Sequence, residues 1–160
     1  MKQNHYNVDM NKHLVNIHKA LGFVADELEK QKANWFLGAS GALMVWGVDV
    51  IPNDLDIIVP TSDLEKLEKV FKSRGINRLE TGDTDCKYLK FKIEIFNIQA
   101  EIIGMDVFDG EHLQVDFQGR KIPVNPLEKE LEFYQKRSKG KEKIDLIKKR
   151  IEELRNINLT

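Results

Sequence analysis

The chain has 160 residues, of which 41% are apolar and 32% charged, and its net charge is −1. That length supports one domain with its own core, and the near-neutral balance excludes a surface that grips long nucleic acid or anionic membrane through overall charge. The lone Cys86 excludes an internal disulfide; with a polar N-terminus and no run long enough to span a bilayer, a cytoplasmic protein is expected.

Residues 1–8 are polar and read as a loose N-terminus. From about Asp9 to Gln31 the pattern is helical. Leu14, Ile17, Leu21, Val24 and Leu28 recur at three- and four-residue steps and form one apolar stripe. His5, His13 and His18 make no ligand pair at helical spacing and read as surface or packed histidines.

The stretch from Trp35 to Pro60 carries the chemistry. An apolar strand (Trp35, Phe36, Leu37) runs into a turn of small residues, Gly38-Ala39-Ser40-Gly41. A short helix, Ala42 to Trp46, ends at Gly47, and a second strand carries Asp54 and Asp56 among Leu55, Ile57, Ile58 and Val59. Residues two apart on a strand point the same way, so the two carboxylates share a face. No Lys or Arg lies between Gly41 and Val59 to neutralise them. A hard cation between the oxygens removes that repulsion, and Mg²⁺ commonly uses one or two carboxylates plus phosphate oxygens. Ser40 opens a helix, where free N–H groups and the helix dipole favour an anion. Each feature alone is common: a D-x-D can be an exposed strand end, and small residues often mean only close packing. In this order and spacing they suit phosphoryl or nucleotidyl transfer.

Downstream, Ser62 and Glu65 read as a capping box, with Leu64, Leu67, Val70 and Phe71 as the buried face and Gly75 as the stop. Ile76 to Leu79 is a short strand, and Thr81 to Asp85 a polar turn. Tyr88 to Phe96 and Ile98 to Ile103 form a hairpin by their alternation. Period two places Gln99, Glu101 and Ile103 on one face. Glu101 therefore needs a partner: Lys90 or Lys92 across the hairpin, or a metal. Glu94 and Asp106 compete with it as a third acidic ligand. Met105 to Gly110 is a loop. A further hairpin brings Leu113, Val115 and Phe117 beside Ile122 and Val124 through Gln118-Gly119. Asn125-Pro126-Leu127-Glu128 is a helix start, with Leu127, Leu131 and Tyr134 inward. The helix breaks at Ser138 to Gly140, and the last one, about Lys141 to Asn156, turns Ile144, Ile147, Ile151 and Leu154 inward. Lys136, Arg137, Lys139, Lys141 and Lys143 cluster at the junction, as a solvated face commonly does. There is no P-loop, Rossmann glycine pattern or zinc spacing.

The run from Trp35 to Pro60 resembles the nucleotidyltransferase superfamily related to DNA polymerase beta, in its minimal single-domain form. The likeness rests on the apolar strand, Ala39-Ser40 at the helix start, Gly47 at the helix end and Asp54-Leu55-Asp56 in the next strand; with Glu101 and the C-terminal helices it covers most of the chain from about Asn34. It implies one α/β domain over 1–160, a mixed sheet with helices largely on one face and a C-terminal helical pair at 126–156. It also implies Mg²⁺ or Mn²⁺ held by Asp54, Asp56 and Glu101, a nucleoside triphosphate on Gly38, Ala39 and Ser40, and Lys141 and Lys143 as phosphate contacts. The sequence departs from the family at three points. Ala39 replaces a Gly, no basic residue stands between Gly47 and Asp54, and the third carboxylate is Glu rather than Asp.

Transfer of a nucleoside monophosphate to an acceptor is thus the expected activity, the acceptor being a small molecule, an RNA end or a protein. The departures motivate a second expectation, a catalytically weak nucleotide-binding module. The small size, with no separate acceptor domain, motivates a third, a partner-binding protein of toxin–antitoxin type. A homodimer or a partner chain would complete the site.

Overall fold

The computed structural model describes residues 2–74, 77–83, 86–108 and 110–158. Five α-helices and seven strands alternate as α1 (Lys2–Lys30), β1 (Phe36–Gly38), α2 (Ala39–Val45), β2 (Leu55–Pro60), α3 (Leu64–Phe71), β3 (Asn77–Asp83), β4 (Cys86–Ile95), β5 (Ile98–Met105), β6 (Leu113–Phe117), β7 (Arg120–Val124), α4 (Leu127–Lys136) and α5 (Lys143–Ile157). The strands form one mixed sheet in the order β3-β4-β5-β2-β1-β7-β6. β2 lies between β5, to which it is parallel, and β1, to which it is antiparallel.

Alternation sorts the side chains into two faces. Leu37, Leu55, Ile57, Val59, Phe91, Ile93, Ala100 and Ile102 point into the main core, where they meet the α1 stripe of Ile17, Leu21, Val24 and Leu28 and the α3 residues Leu64, Leu67 and Phe71. Removing these surfaces from water dominates the stability. The opposite face carries Phe36, Gly38, Asp56, Ile58, Glu101 and Ile103. A second, smaller core joins Leu43 and Val48 to Leu127 and Tyr134 of α4 and Ile147 and Ile151 of α5. It fixes the C-terminal pair against α2.

Several local expectations need correction. α1 begins at Lys2, so the segment read as loose is the start of that helix. α2 starts at Ala39, inside the small-residue turn. A 3-10 turn over Thr61–Asp63 precedes α3 and takes Ser62 into itself, so no side chain caps that helix. Asn125 does not cap α4 either: the helix starts at Leu127 with Pro126 in the cap position, and the Asn125 Oδ1 that would accept from the first turn has no partner. The polar stretch from Thr81 extends β3 to Asp83, paired with Cys86 of β4. Gly75, Ile76 and Asp85 lie outside the described residues.

Two glycines hold the frame. Gly47 has φ +80, and its N–H donates to the Met44 carbonyl while that of Val48 donates to Leu43, which closes α2. Arg150 of α5 adds an Nε donor to the Trp46 carbonyl at 2.7 Å. Gly104 sits where a Cβ would overlap Leu64 and the Thr61 backbone, so β5 and the 3-10 turn pack closely there. Ala39 adopts φ +52 at the start of α2, a left-handed conformation that costs an L-residue about 1–2 kcal/mol.

Candidate active site

The register across the sheet assembles the site. Gly38 of β1 pairs with Asp56, Asp56 pairs with Glu101, and Glu101 pairs with Lys92. Adjacent strands in register turn equivalent side chains to the same face. Asp56 and Glu101, 45 positions apart in the chain, are thus neighbours directly below the helix-opening turn. Asp54 precedes β2 and is close enough to act on Asp56 electrostatically. Burial, then the charges of Asp54 and Glu101, push the Asp56 carboxyl up to about 6, against the opposing pull of Lys90 and Arg137. Ser40 is half-buried in the first turn of α2.

Glu101 has the hairpin partners that its position demands. Its two oxygens lie 3.2 Å from Lys90 Nζ and 3.4 Å from Lys92 Nζ, and Gln99 Nε2 stands at 3.5 Å. Glu94, at the same face of β4, is exposed, and so is Asp106 beyond the end of β5. The Glu101 and Lys90 side chains retain only 14% and 15% exposure. Lys90→Met is therefore expected to destabilise the fold by about 1–3 kcal/mol, somewhat less than for a fully buried pair. Urea unfolding measures this; an unchanged midpoint would mean that Lys92 alone satisfies the carboxylate.

The basic cluster resolves into distinct positions. Arg137 follows α4, stacks over Phe133 at 5.0 Å and Tyr134 at 5.7 Å, and lies within electrostatic reach of Asp56. Lys143 Nζ rests over the Tyr134 ring at 5.5 Å, and Lys141 is exposed. Of these cations, Arg137 is the one whose charge bears on the carboxylates.

Two site residues escape sequence reading. Glu130 is 3% exposed, the one buried charged residue among those described. It lies on the inward stripe of α4, three residues after Leu127 and four before Tyr134, which is the signal that could have exposed it. Burial pushes its carboxyl up to about 7, while the hydrogen bond from Asn125 Nδ2 (3.4 Å) and the charge of Lys129 oppose the rise. Asn125 Oδ1 is buried without a partner. Glu130 and Asn125 line a cavity of about 320 Å³ together with Gly38, Ala39, Asp56, Phe36, Ile58, Ile103, Met105, Lys129 and Phe133. Among the described residues, no three His, Cys, Asp or Glu side chains are grouped so that they could hold a metal ion, so Asp54, Asp56 and Glu101 do not form such a group as they stand; no helix is long and apolar enough to cross a membrane.

No protein-family model matches the sequence, and no curated protein matches it. Solved structures do. A protein from Thermotoga maritima classed as a candidate nucleotidyltransferase superposes with a TM-score of 0.64 and 25% identity, over 84% of this chain and 92% of that one. The lincosamide antibiotic adenylyltransferase LnuA, solved with lincomycin bound, gives 0.61 and 18% identity over 81% and 95% of the two chains. ANT(2")-Ia, in complex with adenylyl-2"-tobramycin, gives 0.61 and 13% identity over 86% and 88%. These superpositions each cover more than four fifths of this chain, and they make it a domain of the nucleotidyltransferase fold.

Proposed function

We propose that this domain transfers a nucleoside monophosphate from a nucleoside triphosphate to the hydroxyl of an acceptor. The observation that carries this reading is the sheet register, which sets Asp56 beside Glu101 and against Gly38 at the mouth of the helix-opening turn. Phosphates on the N–H groups around Ala39 and Ser40 would then lie next to the carboxylates. Arg137 supplies a cation within electrostatic reach of Asp56, while Lys141 lies in the connection to α5 and Lys143 is its first residue.

The donor set fits a hard divalent cation. Asp54 and Asp56 have no ion-pair partner among the described residues, and the charge of Asp54 weighs on Asp56. A pair rather than a closed cage suits Mg²⁺ or Mn²⁺, which fill their remaining positions with water and phosphate oxygens. Glu101, which is paired with Lys90 and Lys92, would be the third ligand only if those lysines released it. The ion, when bound, offsets charge on the phosphoryl oxygens and favours ionisation of the attacking hydroxyl. The acceptor oxygen forms its bond to the α-phosphorus as the bond from that atom to the bridging oxygen breaks. Pyrophosphate leaves, and the hydroxyl proton passes to a base in the site.

Two of the solved neighbours carry names or ligands that describe adenylyl transfer to antibiotics. For this chain they support adenylyl or related transfer to a small molecule ahead of an RNA end or a protein. The strained Ala39 and the lysine-bound Glu101 favour the second reading, a domain that binds nucleotide and turns it over poorly.

Calorimetric titration of ATP, GTP, CTP and UTP with Mg²⁺ tests both. Metal-dependent binding in the wild type, weakened at least about tenfold (roughly 1.4 kcal/mol) in the Asp54→Asn, Asp56→Asn double variant, is expected. Binding without pyrophosphate release under an acceptor screen would establish the weaker module. No binding of any nucleotide would remove both readings.

A further inference from the structure

Asp54 stands in the bend before β2, so strand pairing does not set its direction. The chain around it is held at two points. On one side Leu55 opens β2 and pairs with Ala100 of β5. On the other side α1 reaches across. His13 Nε2 donates to the Pro52 carbonyl at 2.8 Å, a contact between residues 39 positions apart. A carbonyl oxygen only accepts, so Nε2 carries the proton. A peptide unit is planar, so a bond to the Pro52 carbonyl also orients the N–H of Asn53. Between that plane and β2, only the dihedrals of Asn53 and Asp54 remain soft.

The helix that supplies the donor is itself fixed. His13 continues, at four-residue steps, the stripe of Ile17 and Leu21, which are buried in the main core. Among the described residues, no other hydrogen bond reaches Ile51, Pro52 or Asn53; the last one upstream joins the Val50 N–H to the Val48 carbonyl. Packing covers Pro52 and leaves Ile51 and Asn53 on either side exposed. A cavity of about 440 Å³ opens beside them, lined from α1 by Asp9, Met10 and His13. Few contacts and an exposed backbone mark the segments that open most easily. Here the imidazole bond is the contact that fixes the bend.

We infer that His13 is a positioning residue for the carboxylate pair: it holds the Pro52–Asn53 peptide and so sets how close Asp54 stands to Asp56. It acts through Asp54 and not on the substrate. A metal at Asp54 rests on the transfer reading above; the placement of Asp54 by His13 does not, and it is read without metal or nucleotide.

Substitutions separate the donor from the ring and from the helix. His13→Phe keeps a ring and removes the donor, whereas His13→Gln keeps a side-chain N–H at similar reach. His18→Ala, further along α1, removes a ring packed edge-on against Phe117 and spares the bond to Pro52. The first readout is the amide NMR spectrum of the metal-free protein. The Asn53 and Asp54 signals should shift in His13→Phe, return toward wild type in His13→Gln and hold in His18→Ala. The second is the affinity for Mn²⁺, read from its paramagnetic resonance. His13→Phe should weaken it about three- to tenfold, the range that one hydrogen bond covers. His13→Gln should recover it to within about twofold, and His18→Ala should match the wild type. Unmoved Asn53 and Asp54 amides in His13→Phe would overturn the inference. So would unchanged Mn²⁺ affinity in that variant, or an equal loss in His18→Ala, which would mean that general loosening and not the anchor is at work. Failure of Gln to restore the signals would show that something other than the donor holds the segment, and overturns it too. A wild type that binds no Mn²⁺ would bring down the transfer reading and leave the amide signals to decide the role of His13.

Discussion

Asp56→Asn is expected to abolish turnover and, in the same protein, to raise the melting temperature. The first effect follows from its place in the sheet register, between Gly38 and Glu101. In the proposed transfer Asp56 would hold the metal, and losing such a carboxylate removes several kcal/mol of charge stabilisation, or about 10²–10³-fold or more in rate. The second effect follows from electrostatics. Burial and two neighbouring carboxylates push the Asp56 carboxyl from 3.8 up to about 6. The folded state therefore binds more protons than the unfolded state between about pH 4 and 6, and stability falls as pH rises through that window. Above it the penalty is constant, on the order of 2–3 kcal/mol. Asn carries no charge and escapes it, so the apo variant should melt about 4–10 °C higher at neutral pH and lose the part of the acid-side slope that Asp56 causes. Mg²⁺ should stabilise the wild type, through mass action on the native state, and leave the variant unmoved. Scanning calorimetry from pH 4 to 8, with and without Mg²⁺, measures all of this. A variant that melts lower at pH 7 would mean that Asp56 is a structural carboxylate with a partner.

Leu43→Ala should cost about 2–5 kcal/mol, the usual price of a large-to-small change at a fully buried site. The informative part is where the damage falls. Leu43 is fully buried in the smaller core with Leu127, Tyr134, Ile147 and Ile151, whereas its neighbours Ala42 and Met44 pack into the main one. The smaller core packs α4 against α2 and α5, and α4 carries Glu130, Phe133 and the approach to Arg137. Loss of packing at Leu43 therefore loosens the cavity wall against a sheet that stays rigid. Leu67→Ala, fully buried in the main core beneath α3, serves as the control of similar cost. Urea unfolding should place the two variants within about 1–2 kcal/mol of each other, given the spread of such substitutions. Nucleotide affinity, measured well below both melting points, should weaken in Leu43→Ala and hold in Leu67→Ala. Equal losses in both would mean that site geometry depends on global stability rather than on the smaller core.

Much of the frame could be read from local pattern. The α1 stripe, the apolar face of α3 and the inward residues of α4 and α5 follow from three- and four-residue spacing, and the β4–β5 hairpin follows from alternation. Alternation even names the partners of Glu101, because Lys90 and Lys92 fall on its face by parity alone. What failed were the caps. Ser62 and Asn125 have the right chemistry at helix starts, yet Ser62 is drawn into a 3-10 turn and Asn125 turns its amide to Glu130. A cap is worth only about 1 kcal/mol, and tertiary packing outweighs it readily.

The helix-opening run from Gly38 to Gly41 and the nearness of Asp54 to Asp56 were legible locally, because they lie within one strand–helix–strand unit; a shared strand for the two carboxylates was not, since β2 begins at Leu55 and leaves Asp54 in the bend before it, where strand alternation does not set its direction. What surrounds them depends on contacts between distant segments. Sheet order sets β5 beside β2 and so brings Glu101 to Asp56. The small second core folds α4 back over the same face, which buries Glu130 and brings Arg137 near in place of the lysines beyond it. Those neighbours come from segments 45 to 81 residues away from Asp56, and a local pattern carries no information about which distant strand or helix will close over it.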